Sequence, residues 1–587
     1  MNLEPLDSLL VLAAVGLPLL ATLALTGARW RPAVMRATPL VAVPALLLAL
    51  AGQTGAGFRV PWLHQHTMLE LDAVGRVFLG FSSVLWLASG WYARAYLAHD
   101  PNRVRFHLFF LLAMAGNFAL ILAADIPTFY IGFALMGLAA SGLVLHRGDA
   151  EATQAGRVYL ALAMLGEVLI FTGFAFLVIA GGTTEIAALH RGVFSQPALL
   201  LLLAGFGIKA GALGLHFWLP LAHPAAPVPA SAVLSGAMIK AGLLGWIRFL
   251  PLGEAAMPWC GFTLICAGLG AAFLGTFVGV VQRNPKTVLA YSSISQMGIM
   301  AVGVGIGALR PEAWLEIQTA LLIYATHHAL AKGALFLGVG PAHAAHTLGQ
   351  VLTARVGLLI AALALAGAPL TSGALAKVAL KSNLGFLPSG WAVVLGVLLP
   401  LAAVGTTLKM ARFLWLTWPQ RAPTTEASAK GMWMPWLSLV GAVLVGVWLL
   451  PGALGLLPVK LTAEKLWLAT WPLLAGGALA LLGAWLRRWF SHDLTRWLPA
   501  GDMGVFFEKL LARVQLDLPS AAGSHPAHGL GHDEPAAEEV SPWSARLVSA
   551  GEHLARIEAR LRSWPVAGAL LLLLMGLLLG LLTGERN

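Results

Sequence analysis

The chain has 587 residues, 58% of them hydrophobic and only 11% charged, with a mean hydropathy of +0.80, so most of it cannot face water. Its formal charge of +11 is dispersed over many loops and forms no stripe, which excludes nucleic acid as a partner. Two cysteines, Cys260 and Cys266, share one apolar run; they supply no disulfide frame, zinc site or iron-sulfur cluster, and read as small core residues.

A helix that crosses a bilayer needs roughly 20 mostly apolar residues, and such runs number about sixteen here. In chain order they are predicted at 6–27, 32–51, 72–97, 105–123, 126–145, 157–180, 197–219 and 228–249, then 258–281, 287–307, 314–339, 354–380, 391–415, 434–456, 466–486 and 566–583. The short alternating strands of a membrane barrel are not visible. The first run follows Glu4 and Asp7, not a basic segment, and is read as a retained helix. Two spans look interrupted. The seventh is followed by Pro220, Pro224, Pro227 and Pro229, and the twelfth contains Gly367-Ala368-Pro369. Unwound backbone inside a membrane is tolerated only where it is buried in protein or lines a watery cavity, so paired breaks point to a transport pathway.

Basic residues follow the odd-numbered spans: Arg29, Arg31 and Arg36; Arg94, Arg103 and Arg105; Arg147 and Arg157; Arg283 and Lys286; Arg421 and Lys430; Arg487, Arg488 and Arg496. The positive-inside rule then puts both termini on the outer face of a bacterial cytoplasmic membrane. Between the last two spans, 503–516 and 542–563 read as amphipathic and 518–541 as a polar linker. The later piece, with Leu547, Leu554, Ile557 and Leu561 on one face, is expected to lie along the inner surface or a neighbouring subunit. His525, His528 and His532 fit a flexible linker better than a metal site.

A charged side chain near the bilayer centre costs about 2.5 to 3.5 kcal/mol, and each one calls for a reason. Glu167, Lys209, Lys240, Lys332 and Lys377 all fall mid-span, and His328 lies four residues before Lys332 on the same helix face. Snorkelling from mid-span has to reach about 15 Å, beyond a lysine. Lys381 and Lys409 lie near predicted helix ends, where snorkelling is cheap. His216 and His223 flank Trp218 and Pro220 and read as interface anchors or entrance-lining groups, and His327 is turned away from His328 by roughly 100°. Buried ion pairing accounts for Glu167 and one lysine but not for four lysines. Two unit charges about 8 Å apart at an effective dielectric near 20 interact by roughly 2 kcal/mol, so protonating one such site expels a proton from the next. Joined by water, this set is a proton or ion conduit with Glu167 placed to load or unload Lys209.

At these same residues the sequence resembles the antiporter-like proton-conducting subunits of respiratory complex I, energy-converting hydrogenases and multi-subunit cation/proton antiporters. The strings are His216-Phe-Trp-Leu-Pro-Leu-Ala-His223 with Ala226-Pro227, Ser231 to Lys240, Lys286-Thr-Val-Leu-Ala-Tyr-Ser-Ser-Ile-Ser-Gln-Met-Gly298, His328-Ala-Leu-Ala-Lys332 with Leu335-Phe336, and Gly367 to Lys377. The resemblance implies an all-α polytopic fold with two inverted five-helix repeats, each with a broken helix, plus an amphipathic C-terminal segment and a final span. It divides the chain into N-terminal helices 1–123, repeats 124–250 and 251–415, C-terminal helices 416–486, an inner-face segment 487–564 and a last span 565–587. It also implies proton-carrying roles for Lys209, Lys240, His328, Lys332 and Lys377. The family's glutamate on the fifth helix is replaced by Ala134, and Glu167 on the next helix is the expected substitute.

No loop before residue 487 is long enough for a soluble catalytic domain. The chain is therefore expected to carry no cofactor or metal and to work with other membrane subunits and a peripheral arm, moving protons or sodium. If it has a place in an enzyme, it is as a pumping subunit of an NADH:quinone oxidoreductase-like complex. The alternative is the membrane half of an ion-coupled inorganic-carbon uptake system, with a carbonic-anhydrase-like zinc protein as partner.

Overall fold

A computed structural model describes residues 4–59, 68–189, 194–420, 430–453, 462–486 and 499–500. The chain begins with α1 (Glu4–Ala24), then a second crossing built from α2 (Arg31–Ala37), a 3-10 turn and α3 (Val43–Ala51). A two-stranded antiparallel hairpin follows, β1 (Gly57–Arg59) and β2 (Met68–Glu70), with Phe58 opposite Leu69. Four helices come next: α4 (Ala73–Tyr96), α5 (Arg103–Leu122), α6 (Ile126–Val144) and α7 (Ala150–Gly181). Aspartates start three of them, Asp72, Asp125 and Asp149 each accepting a backbone N–H of the first turn.

The short α8 (Ile186–Leu189) precedes the first broken span, α9 (Gln196–Ala210) and α10 (Trp218–Ala225). The prolines suggested a break after residue 219, but the chain unwinds earlier, between Ala210 and Trp218. Gly211 and Gly214 take φ of +70° and +82° there, a left-handed conformation open to glycine. Glycine was the signal, and Pro224 sits inside α10. Next come α11 (Val228–Val233), a π-helical turn over Leu234–Met238 and α12 (Lys240–Phe249). Three long helices follow, α13 (Pro258–Val281), α14 (Pro285–Leu309) and α15 (Trp314–Ala344), then the second broken span, α16 (Leu348–Ala366) and α17 (Ser372–Lys381). The described helices end with α18 (Ser389–Thr417), α19 (Lys430–Ala453) and α20 (Ala463–Leu486).

Thirteen of the described helices are long and apolar enough to cross a membrane, and Gln196–Ala210 and Gly431–Val445 are shorter apolar helices. The predicted span 566–583, both amphipathic segments and the histidine linker lie outside the described residues. The α11–α12 crossing, α14 and α15 are buried along nearly their whole length, while α1 and α20 expose most of theirs. Buried polar side chains concentrate on the enclosed helices, and large apolar side chains such as Ile179 and Phe277 face outward. That inside-out polarity suits a bundle dissolved in hydrocarbon. Close helix contact follows from small residues: a Cβ on Gly298 of α14 would come within 2.4 Å of the Gly268 carbonyl of α13. Of the two cysteines on α13, Cys260 is buried as expected, but Cys266 is exposed on the outer side of that helix.

Candidate functional site

The first broken span places Lys209 in the last turn of α9, where the unsatisfied carbonyls of a helix end favour a cation. Its amine donates to the Tyr159 hydroxyl at 2.9 Å, and that hydroxyl donates to the Gly137 carbonyl at 3.2 Å. The rings of Tyr159 and Phe133 lie 5.3 and 5.7 Å from the amine. Glu167 is buried on α7, and a methyl group placed on Gly137 would stand 2.8 Å from its Oε1 and 3.7 Å from the lysine amine. Carboxylate and amine thus face each other across the space that glycine leaves on α6. Ala134, one turn earlier on the same helix, leaves the expected glutamate position empty of charge, and Glu167 reaches Lys209 from α7.

Trp218 closes this end of the site, its indole donating to the Ile208 carbonyl at 2.9 Å and its ring meeting Tyr159 edge-on at 5.2 Å. His216 and His223, read as interface anchors or entrance-lining groups, are both fully buried, which leaves no room for anchoring at the interface. His223 stacks on Phe336 at 4.6 Å, neither of its ring nitrogens has a protein partner, and it lies within electrostatic range of Lys286, Lys332 and Lys240. The Lys286 amine donates to the Ala226 carbonyl, in the unwound link between α10 and α11.

Lys240, at the start of α12, is fully buried. The π-helical turn before it leaves carbonyls without their usual helical donors, and the lysine amine donates to one of them, Ser235, at 2.6 Å. The Ser235 and Ser293 hydroxyls meet at 2.8 Å. On α15, His328 and Lys332 are fully buried; the Lys332 amine donates to the Leu289 carbonyl at 2.7 Å, and His328 has no protein partner at either ring nitrogen. His327 is also buried and meets the Ser372 hydroxyl of α17 at 2.7 Å through Nδ1. Lys377 donates to the Leu365 and Ala366 carbonyls at the end of α16.

Two clefts flank this row. One, of about 260 Å³, is bordered by Glu151, Gln154, Pro220, Pro224, Gln282 and Asn284 beside the first broken span. The other, of about 180 Å³, is bordered by Gly367, Lys377, Lys381, Ser382, Glu464 and Pro472 beside the second. Counting crossings from the start of α14 to the end of α17 puts them toward opposite faces of the bundle. Lys381 is half-buried at the second cleft, and Lys377 borders that cleft too and is not sealed in the interior.

Lys409 departs from the sequence reading. It lies eight residues before the end of α18, is fully buried, and donates to the Thr276 hydroxyl of α13 at 2.9 Å, so it does not snorkel. A buried chain was also missed: Tyr324 donates to Gln296 Oε1 at 2.9 Å, and the Gln296 amide donates to Thr406 Oγ1 at 2.9 Å. Gln296 sits inside one of the motif strings, where its polarity in an enclosed helix was the available signal.

The helical bundle with two broken spans is that of a polytopic membrane protein with an antiporter-like fold. Residues 123–408 match the family described as NADH:quinone oxidoreductase/Mrp antiporter, TM, which confirms the resemblance carried by the motif strings. Hydrogenase-4 component B of Escherichia coli K12 is 29% identical over 300 residues, covering 49% of this chain and 44% of that protein. NADH-quinone oxidoreductase subunit N of Polaromonas naphthalenivorans is 29% identical over 283 residues, covering 46% of this chain and 55% of that one. The chain spans about half the length of these curated relatives. A chain in the structure of the Mrp complex from Dietzia sp. DQ12-45-1b shares the fold with a TM-score of 0.68 and 21% identity, over 99% of this chain and 63% of that one.

Proposed function

We propose that this chain is a proton-translocating, antiporter-like subunit of a multi-subunit complex in the bacterial cytoplasmic membrane. The observation that carries the reading is the buried row Glu167–Lys209, Lys240, His328 and Lys332, continued by Lys377 at the edge of the second cleft and set between two clefts that lie toward opposite faces. Among the described residues no carboxylate lies within ion-pair distance of Lys240, Lys332 or Lys377, so charge balance does not explain the burial of the first two or the placing of the third. Each amine is held by a single neutral oxygen or a pair of carbonyls, which leaves it free to give up a proton without leaving a stranded counter-charge. The unpartnered ring nitrogens of His223 and His328 suit an interior bridged by water.

In this reading the chain binds no cofactor of its own, and the energy comes from neighbouring membrane subunits and a peripheral arm. The basic residues Arg29, Arg36, Arg103, Arg105, Arg147 and Arg283 orient their loops, and both termini with them, by the positive-inside rule. Protons are the favoured cargo because lysines and histidines outnumber carboxylates along the row, whereas sodium needs oxygen ligands. The test is proton uptake by the purified complex in liposomes. Lys209→Ala and Lys377→Ala are each expected to abolish it, and unimpaired uptake in both removes the proposal. The co-purifying subunits settle the driving force: iron-sulfur or nickel-iron proteins support a redox-driven complex, and a zinc protein supports the carbon-uptake alternative.

A further inference from the structure

The packing order of the helices repeats along the chain. α5 packs on α6 as α13 packs on α14, α7 on α9 as α15 on α16, α10 returns to α7 as α17 returns to α15, and α12 lies on α9 as α18 lies on α16. Each set makes five crossings, and because five is odd the second set runs through the membrane in the opposite sense to the first. Corresponding helices then carry corresponding groups. Glu167 on α7 answers to Lys332 on α15, and Lys209 beside the first break answers to Lys377 beside the second. Lys240, on the fifth crossing of the first set, answers to Lys409 on α18.

We infer that Lys409 is a further proton-carrying residue, the second repeat's counterpart of Lys240, and that it links Lys332 to Lys377. This rests on the proton-translocating reading above and extends it to a residue outside the motif strings. Lys409 is fully buried and lies within electrostatic range of both Lys332 and Lys377, as a relay between them requires. Its stem packs against Gly279 of α13, 3.3 Å from where a Cβ would stand, and its amine has one hydroxyl partner, Thr276, which itself donates to the Ala272 carbonyl. Thr406, one turn before Lys409 on α18, ends the Tyr324–Gln296 chain, so polar groups continue from α15 through α14 to α18.

A purely structural role explains the residue poorly. Burying an ammonium costs about 2.5 to 3.5 kcal/mol, and a net hydrogen bond to a hydroxyl returns about 1 kcal/mol. The relay step is a proton transfer from the Lys332 ammonium through water to the neutral Lys409 amine, then onward to Lys377, with no redox change: an N–H bond of the donor breaks, each bridging water takes up one proton and releases another, and an N–H bond forms on the acceptor. Each transfer moves one positive charge and leaves a neutral amine behind.

Arginine separates the two roles, because it keeps the positive charge and the hydrogen bond but does not release a proton in proteins. In the reconstituted complex, Lys409→Arg is expected to assemble with wild-type thermal stability and to translocate protons at least about tenfold more slowly, while Lys409→His recovers part of the rate. Wild-type rates in Lys409→Arg overturn the inference. If the Lys409 variants do not assemble, Thr276→Val decides, since it keeps the amine and removes its acceptor: a severalfold slower rate supports the relay, and an unchanged rate overturns it. Lys332→Met and Lys377→Met serve as controls. If both pump normally the parent reading fails, whereas if both are dead and Lys409→Arg is active only the inference does.

Discussion

The amine of Lys209 donates to the hydroxyl of Tyr159 at 2.9 Å, and Glu167 meets that amine only across the space above Gly137. The lysine therefore holds a neutral hydroxyl while a carboxylate faces it across an open space.

Tyr159→Phe removes the neutral partner and leaves the carboxylate. The amine is then expected to settle on Glu167, and proton uptake by the complex should slow by about tenfold without vanishing. Glu167→Gln, which removes the charge and keeps the shape, should act in the same direction. If Tyr159→Phe is as inactive as Lys209→Ala, the hydroxyl is itself on the path and not an alternative anchor.

The second break stores backbone strain beside Lys377. Leu370 has φ of +60°, the one positive-φ residue other than glycine among the described residues, and it is 67% exposed, so little packing compensates. A leucine in this region costs about 1 kcal/mol or more. Leu370→Asn, better suited to that conformation, is expected to raise the thermal midpoint in detergent. Gly367→Ala should do the opposite, because Gly367 has φ of +87° and a Cβ there would stand 2.8 Å from the Lys377 amine. A lower midpoint for Leu370→Asn would show that the break is not strained at this residue.

Outside the membrane-spanning helices, two carboxyls give pH dependences of opposite sign. At Asp100, burial opposes ionisation, but the His146 ring at 2.9 Å, the Asn102 amide at 2.7 Å and the charges of His146 and Arg105 outweigh it and hold the carboxyl below its usual range. Its stabilising effect is complete above the unfolded-state value of about 4 and is lost as pH falls through the lower folded value. Glu70 is held above its usual range by burial and by the charge of Asp72, partly offset by Arg248, so its contribution is present at low pH and lost as pH rises. The midpoint difference between wild type and Asp100→Asn should therefore shrink from pH 7 toward pH 3, while that for Glu70→Gln changes in the opposite sense. Both groups are partly exposed, and the effects should be small and reduced by salt. A constant Asp100→Asn difference across that range removes the His146–Asp100 pairing as a source of stability.

Much of this was legible in the sequence because the bilayer penalises charge so heavily that a mid-span lysine announces itself. Glu167, Lys209, Lys240, His328 and Lys332 were found on that ground, and each is buried as the argument required. Lys409 was missed because distance from a helix end was judged from an apolar run stopping at 415, whereas α18 continues to Thr417 and packs its inner part against α13. His216 and His223 were legible only in part: proline and tryptophan resemble interface residues in one dimension, which left the two histidines between anchors and entrance-lining groups, and only the fold shows α10 tucked inside the bundle. The first break was placed after residue 219, at the start of the proline run, whereas Pro220 and Pro224 lie within α10 and the glycines before them do the unwinding. Tyr159 and Gln296 carry no charge; Gln296 left only its polarity as a signal and Tyr159 none, so their partners needed coordinates.

Arg248 makes a different kind of prediction, because its work is to close helix ends. It is buried in the last turn of α12 and donates to the carbonyls of Leu120 at 3.0 Å, Ile121 at 2.7 Å and Ala123 at 3.1 Å, where α5 ends. The same guanidinium reaches Asp72 at 3.0 and 3.1 Å, and Asp72 in turn caps α4. One side chain thus joins three helices at one face of the bundle and satisfies carbonyls that no intrahelical donor can reach. Arg248→Leu leaves those carbonyls buried and unpaired, at about 1 to 3 kcal/mol each, and is expected to lower the thermal midpoint strongly or prevent assembly. Lysine cannot form the same fork, so Arg248→Lys should recover only part of the loss. Asp72 is half-exposed, and Asp72→Asn should cost no more than about 1 kcal/mol. Equal losses in Arg248→Leu and Asp72→Asn would mean that the ion pair, and not the capping of α5, holds this face together.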